Sequence, residues 1–350
     1  MFNTIWAVDG SFFAQRVSGI QRYSIELLAA LDRIVPPDFV EIVTPQGVTT
    51  PAYQNIRAVP FGTRRGLAWQ QLDYPEYLKQ RGAKGLATCN IIPWFGFRGI
   101  AVVHDVCYRA RRDFYTSGRD RLSAAWHCLQ YRRIAQKAER IITVSEFSKS
   151  EIHKYYGVPL GKMNIVYNAW QQMQRLTPDD GIFAKHPQLQ RGAYYFSMAN
   201  LLKNKNFPWV LRAAKAKPDE VFAIAGGGSL AAEAERLGLA DLPNVLYLGY
   251  VADGEAKALM AHCKAFLFPT LYEGFGIPPL EAVACGAPEI IVSDTPCMRE
   301  VYGDCAAYID LSTNPGDVSA VTPPAAAPAV LLEKYSWDKS AAKLLEILQK

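Results

Sequence analysis

The stretch Ala265–Glu281, AFLFPTLYEGFGIPPLE, decides the fold class. Ala265–Phe268 is a short unbroken apolar run, the pattern of a strand buried on both faces of a parallel sheet. A loop carrying Glu273, Gly274, Phe275 and Gly276 follows. A helix is predicted over Pro279–Ala284, with proline near its first positions, where the missing amide costs nothing. Strand, glycine loop and helix make one half-unit of an open α/β sheet, and such sheets bind ligands at the carboxyl ends of their strands. Gly274 and Gly276 let the backbone pass close to a ligand, and the amides and dipole of a helix start suit a diphosphate. Glu273 and Glu281 bracket the loop, able to accept hydrogen bonds from sugar and ribose hydroxyls. The competing structural reading makes Glu281 a first-turn complement to the helix dipole and Glu273 a solvated loop charge.

The alternation continues in both directions. After a polar, weakly patterned linker, Gln171–Pro187, strands are predicted at Tyr194–Met198, Val221–Ala225 and Val245–Leu248, with helices at Phe207–Ala216 and Glu255–His262. Before it, strands are predicted at Ile5–Val8, Glu41–Thr44, Ile56–Val59, Ile100–Val103 and Ile141–Val144. An amphipathic helix covers Gly19–Ile34 and stops before Pro36-Pro37, and another opens at Ser145 and closes at Gly157. The Ala/Pro-rich segment Ala320–Pro328 reads as a loop before a last helix, Trp337–Leu348. A chain of 350 residues exceeds the size of a single core. The expected architecture is therefore α/β, with two Rossmann-like doubly wound domains facing across a cleft. Their expected bounds are 1–172 and 173–335, with 336–350 a helix crossing back to the first.

Composition narrows the class. Half the residues are apolar and a fifth charged, which is ordinary for a globular protein. The net charge of +5 is concentrated between Arg109 and Arg140, where nine basic residues face three acidic ones. A local basic face points to an anionic surface or partner, and nucleic acid requires more than that. The seven cysteines are odd in number and none forms a CxxC pair, which argues against a disulfide framework or zinc site. No Asp-x-Asp or HExxH pattern occurs, so no metal is expected. The chain opens on a strand-like IWAVDG without a basic leader, and no apolar run nears the roughly 20 residues that span a bilayer. A cytoplasmic protein is expected, peripheral to the inner face of the cell membrane if the basic segment, with Trp126 and Tyr131 among its charges, meets anionic lipid.

The Glu273–Glu281 segment resembles the E-x7-E motif of retaining family-4 glycosyltransferases of GT-B fold. The match runs through EGFGIPPLEAVACGAP and on through SDTPCMREVYGD. The resemblance implies that Glu273 lies by the sugar of a nucleotide-sugar donor and that Glu281 binds its ribose, with Gly274, Phe275, Gly276, Ile277 and Leu280 forming the donor loop. Asn200–Phe207 looks like the family's G-R-L…K-N element, which holds the diphosphate. Lys205 falls on its lysine, whereas Asn200 stands where the family has arginine. Helix dipoles, Arg22 or Lys203 remain open as substitutes for that missing charge. Gly19, in SGIQRY before the first helix, is a phosphate-approach position, with Ser18 in place of the first of two family glycines. His104-Asp105 resembles the family's H-D element, which would put His104 against the donor sugar or the reacting face, and Val144–Ser148 is also family-like. The turn Gly226–Gly228 is an incomplete dinucleotide fingerprint and reads as lining the nucleotide pocket. Gly249 and Tyr250 fall where the family contacts the base through its backbone.

The resemblance implies transfer of a hexose from a nucleotide-diphosphate donor to a saccharide or lipid-diphosphate-linked acceptor in surface polysaccharide synthesis, with the anomeric configuration retained. GDP-mannose is the favoured donor, with UDP-hexoses and dTDP-rhamnose open. No cofactor beyond the donor and no nucleic-acid partner is implied. Lys205, Glu273 and His104 would be catalytic. Doubly wound sheets host many chemistries. The rival readings are a non-catalytic nucleotide- or sugar-binding protein and an NAD-dependent oxidoreductase.

Overall fold

The computed structural model describes residues 4–198, 202–228, 230–312, 318 and 321–350. The chain divides into two compact units, Met1–Asn168 with Trp337–Lys350, and Ala169–Ser336.

The first unit runs β1 (Trp6–Asp9), α1 (Gly19–Asp32), β2 (Val40–Thr44), β3 (Arg57–Pro60), α2 (Tyr74–Arg81), β4 (Lys84–Ala87), β5 (Gly99–Val102), α3 (Gly118–Lys137), β6 (Arg140–Thr143), α4 (Glu146–Tyr156) and β7 (Met163–Ile165). Its strands form a parallel sheet in the order β3-β2-β1-β4-β5-β6-β7. The second unit runs β8 (Tyr194–Met198), α5 (Phe207–Ala216), β9 (Val221–Ala225), α6 (Leu230–Arg236), β10 (Val245–Gly249), α7 (Asp253–His262), β11 (Ala265–Phe268), α8 (Ile277–Cys285), β12 (Ile290–Ser293), α9 (Pro296–Tyr302) and β13 (Ala307–Ile309). This sheet is also parallel, in the order β10-β9-β8-β11-β12-β13. Both sheets are doubly wound. The direction of winding reverses between β1 and β4 in one and between β8 and β11 in the other, and the loops leaving those strands diverge to open a crevice.

Local chemistry accounts for these elements. Central strands such as β11 and β12 are buried at every residue, as unbroken apolar runs require. The edge strand β3 is largely exposed and ends in Pro60, which protects an open edge from further pairing. Ser145 caps α4 by accepting the Ser148 amide, and Gly157 closes it in the left-handed conformation, as expected.

Four strands escaped the sequence reading: β4, β7, β12 and β13. Helix α1 ends at Asp32, two residues short of the expected end. The stretch expected to be a linker holds a 3-10 turn, Gln171–Arg175, and a short helix, Gly181–Lys185. Lys257 fastens that turn to the second unit by donating to the Met173 and Leu176 carbonyls, each at 2.8 Å. The division accordingly falls at Asn168, four residues before the expected 172.

The last helix, α10 (Trp337–Leu348), packs on α1 within the first unit. The Trp6 indole donates to the Leu348 carbonyl at 3.1 Å, and Ser340 donates to the Tyr167 carbonyl at 2.7 Å. Trp337, Leu344, Ile347 and Leu348 are buried there. Among the described residues no helix is long and apolar enough to cross a membrane.

Candidate functional site

The carboxyl ends of β8 and β11, at the switch point of the second sheet, bring the Lys205 and Glu273 loops together. Lys203–Lys205 forms a 3-10 turn closed by Asn206, whose left-handed backbone (φ 51°) starts α5. The two loops are joined by backbone: the Leu271 amide donates to the Asn204 carbonyl at 2.7 Å. Lys205 Nζ then donates to Glu273 Oε1 at 2.7 Å and lies 5.2 Å from the Phe268 ring centre. Asn204 Nδ2 reaches the same Oε1 at 3.3 Å, and Thr270 Oγ1 lies 2.9 Å from it. All of Glu273's hydrogen bonds therefore converge on one carboxylate oxygen, and among the described residues Oε2 receives none. The Lys205 and Glu273 side chains are 20% and 14% exposed, enough to reach a ligand without rearranging the fold. Asn200 lies outside the described residues.

The start of α8 differs from the sequence expectation in a way that matters for anion binding. The helix begins at Ile277, not Pro279, capped by Gly276 at φ 80° and ψ 66°. A Cβ at Gly276 would lie 2.6 Å from Met298 Cε and 3.2 Å from Phe268, so glycine is required there by both conformation and space. Glu281 is thereby the fifth helical residue, beyond the first turn, and the dipole-complement reading loses its basis. Pro278 and Pro279 have no amide hydrogen to give. The Leu280 amide donates to the Tyr302 hydroxyl at 3.1 Å, and that hydroxyl donates in turn to the Gly276 carbonyl. Burial pushes the Tyr302 hydroxyl pKa well up, which keeps its proton available for that bond. Of the first four helical residues only Ile277 retains an amide for an anion. Lys205 and the loop backbone, more than the helix tip, are thus the groups left able to hold an anion.

The other residues expected at the donor divide by exposure. Phe275 is buried with its ring 5.1 Å from that of Tyr335, so only its backbone can meet a ligand, and Leu280 is fully buried with its amide already given to Tyr302. Glu281 is half-buried and accepts from Gln172 Nε2 at 2.9 Å. Gly249 ends β10 at φ 63°, with its carbonyl held by the Gly226 amide at 2.8 Å, and Tyr250 beside it is 71% exposed. The Gly226 turn and the Gly249–Tyr250 pair thus adjoin, on neighbouring strand ends.

In the first unit, Gly19 is the first residue of α1, after Ser18, whose amide donates to the Gln21 side chain. Nothing lies within 4 Å of where its Cβ would be, and its φ is not positive. Neither packing nor conformation demands glycine there. His104 is buried at the end of β5. Its amide donates to Asn90 Oδ1, its carbonyl accepts from Ser148, and its ring meets Tyr23 edge-on at 4.8 Å. Burial lowers its pKa to about 4. Nε2 lies 2.9 Å from the Thr88 carbonyl, an acceptor only, so the ring is neutral with its proton on Nε2 and its lone pair on Nδ1. Such a ring can accept a hydrogen bond, but it does not carry a mobile proton near neutral pH.

Sequence reasoning missed Asn204, Thr270, Gln172 and Tyr302. Thr270, three residues before Glu273, and Tyr302, in REVYGD, were both legible as polar groups near the motif. What was not legible is that each one hydrogen-bonds to it.

A model described as Glycosyltransferase Family 4 matches residues 17–170, and one described as Glycosyl transferases group 1 matches residues 179–320. Between them the two models span most of the chain, and the protein is a glycosyltransferase. This glycosyltransferase is 26% identical to O-antigen chain mannosyltransferase B of Escherichia coli, over 74% of its own length and 66% of the relative's. It is 28% identical to O-antigen chain mannosyltransferase RfbU of Salmonella typhimurium, over 86% and 84% of the two chains. The solved structure of Anabaena HepE in complex with UDP-glucose shares the fold at a TM-score of 0.68, with 17% identity and 99% of each chain covered. The fold of this enzyme is accordingly GT-B.

Proposed function

We propose that this glycosyltransferase moves a mannosyl residue from GDP-mannose to a saccharide or lipid-linked saccharide acceptor in surface polysaccharide synthesis, with the configuration at the sugar carbon retained. The observation that carries the reading is the Lys205–Glu273 pair at the β8/β11 switch point, the place where a doubly wound sheet takes its ligand. In this reading the second unit binds the donor and the first receives the acceptor. Lys205 turns to the diphosphate and, with the backbone of Gly274–Ile277, meets the negative charge that grows on the leaving group. Glu273, already anchored through Oε1, accepts from sugar hydroxyls through Oε2. Glu281 takes the ribose, and Gly249 and Tyr250 take the base. The two carboxylates position the donor and are not the acid and nucleophile pair of a glycosidase. His104 contributes an acceptor at Nδ1 to the reacting face, and Gly19 admits the donor's phosphates. No metal or cofactor takes part.

The names of the two mannosyltransferase relatives support mannose. UDP-hexoses and dTDP-rhamnose are the competing donors. Turnover measured with GDP-mannose, UDP-glucose, UDP-galactose and dTDP-rhamnose tests the choice. Activity with one of the others and none with GDP-mannose overturns the donor, and transfer that survives Glu273→Ala overturns the site. The reading also places the Arg109–Arg140 face toward an anionic membrane. Binding to anionic vesicles that persists after charge reversal at Arg111, Arg112, Arg132 and Arg133 would dispose of that part.

A further inference from the structure

The arginines of the first unit fall into two groups. Arg64 pairs with Asp73, Arg57 and Arg81 pair with Glu41, and Arg111 pairs with Asp113. Arg109, Arg112 and Arg132 have no carboxylate partner among the described residues, yet all three line one cavity of about 710 Å³ beside α3, together with Leu129 and Tyr155. The Arg109 guanidinium is held 5.3 Å from the Tyr155 ring centre, which fixes its position without neutralising it. An adjoining cavity of about 480 Å³ shares Arg112 and adds Arg121, also without a carboxylate partner. The one acidic side chain on its wall, Asp113, is held by Arg111 at 2.8 Å.

Guanidiniums gathered at one concavity repel each other, and an anion seated among them relieves that repulsion. Their planar forks match phosphate oxygens two at a time. The volume is that of a site for one small ligand and not of a broad contact surface. A second feature gives the anion a tail. Leu122 and Leu129, 76% and 49% exposed, lie seven residues apart on α3 and so share the stripe that runs up to Arg132.

We propose that this cavity is a subsite for the phosphoryl end of an acceptor carried on an apolar chain, with the arginines on the phosphate or diphosphate oxygens and Leu122 and Leu129 along the chain. The inference rests on the reading of the first unit as the acceptor side, and narrows the acceptor to a lipid-linked one.

Binding of monomeric dodecyl diphosphate, below its micelle concentration and without donor, tests it by calorimetry on the full chain, with inorganic pyrophosphate and anionic vesicles as the other probes. The wild type is expected to bind dodecyl diphosphate more tightly than pyrophosphate. Arg112→Glu and Arg132→Glu are each expected to weaken it about tenfold or more, with Arg112→Lys weakening it less. Leu122→Ser should weaken the dodecyl probe and leave pyrophosphate unchanged, which separates the tail from the charge, and thermal melting of each variant excludes misfolding. Equal affinity in wild type and charge-reversal variants overturns the proposal. So does pyrophosphate binding as tight as that of the dodecyl probe, or binding to vesicles alone. Donor turnover uses none of these probes, so a null result here beside active sugar transfer sinks this inference and leaves the proposed function standing.

Discussion

Lys205 and Glu273 hold each other in a partly shielded pair, and the value of that pair to stability and to catalysis can be separated. Glu273→Gln keeps the shape and the Asn204 contact while removing the charge. It is expected to cost about 1–2 kcal/mol of stability. If the carboxylate holds the donor in the transition state, kcat falls by about 10²–10³. Urea unfolding and steady-state kinetics on one preparation check both, and an activity loss no larger than the unfolded fraction would make the pair purely structural. His104 gives a pH signature. Its folded pKa, about 4, lies below the ordinary histidine value of 6.5. The unfolded chain therefore binds the proton first as pH falls, and stability drops between pH 6.5 and 4. The stability difference between wild type and His104→Asn should be flat above pH 7. Below that it should shrink by up to about 3 kcal/mol toward pH 4. Urea midpoints at pH 7.5, 6 and 5 read this directly, and a difference independent of pH would show that burial does not shift the ring's pKa.

At the scale of elements, most strands with β-branched or aromatic runs announce themselves, although β12, IIVS, was missed in spite of such a run. Strand β4, KGLA, gave no such signal although it is central. Its Gly85 is needed because a Cβ there would lie 2.5 Å from the Phe97 ring, and Gly99 opposite has no room because its Cβ would lie 2.0 Å from the Gly85 carbonyl oxygen. Two facing backbones pack too closely for side chains, so the propensity signal disappears where the sheet is tightest. Strands β7 and β13 are three residues long, too short for a period to show. The candidate site was legible where its residues lie within one loop, as at Glu273–Glu281, and illegible where its geometry depends on a distant partner such as Tyr302. Two glycines make a contrasting pair. Gly276→Ala meets a positive φ and a close methionine, and should destabilise by about 1–2 kcal/mol or more while disordering the donor loop. Gly19→Ala meets open space, and should leave stability within about 0.5 kcal/mol while raising KM. Melting curves paired with KM values check both, and an unchanged KM in Gly19→Ala would remove Gly19 from the site.

The whole molecule is one chain that leaves its first unit at Asn168 and returns to it at Trp337. The four large apolar side chains that α10 buries contribute about 1.5–3 kcal/mol each, a total comparable with the stability of an entire domain, about 5–15 kcal/mol. Deleting residues 337–350 is therefore expected to unfold the first unit while sparing the second. Hydrogen exchange would show protection lost in β1 and α1 and retained in β8 and β11. Uniform protection after the deletion would mean that α1 needs no cover.

The same return has a consequence for how the protein is made. A ribosome delivers β1 through β7 first, but the helix that covers their α1 face emerges only after the whole second unit. At about 5–20 residues per second, the nascent first half waits roughly 10–30 s with Tyr23 lacking the Trp337 ring that packs edge-on against it. Through that interval the unfinished protein offers a greasy groove to any passing chaperone, and a ribosome stalled after Ser336 would release a half-dressed molecule.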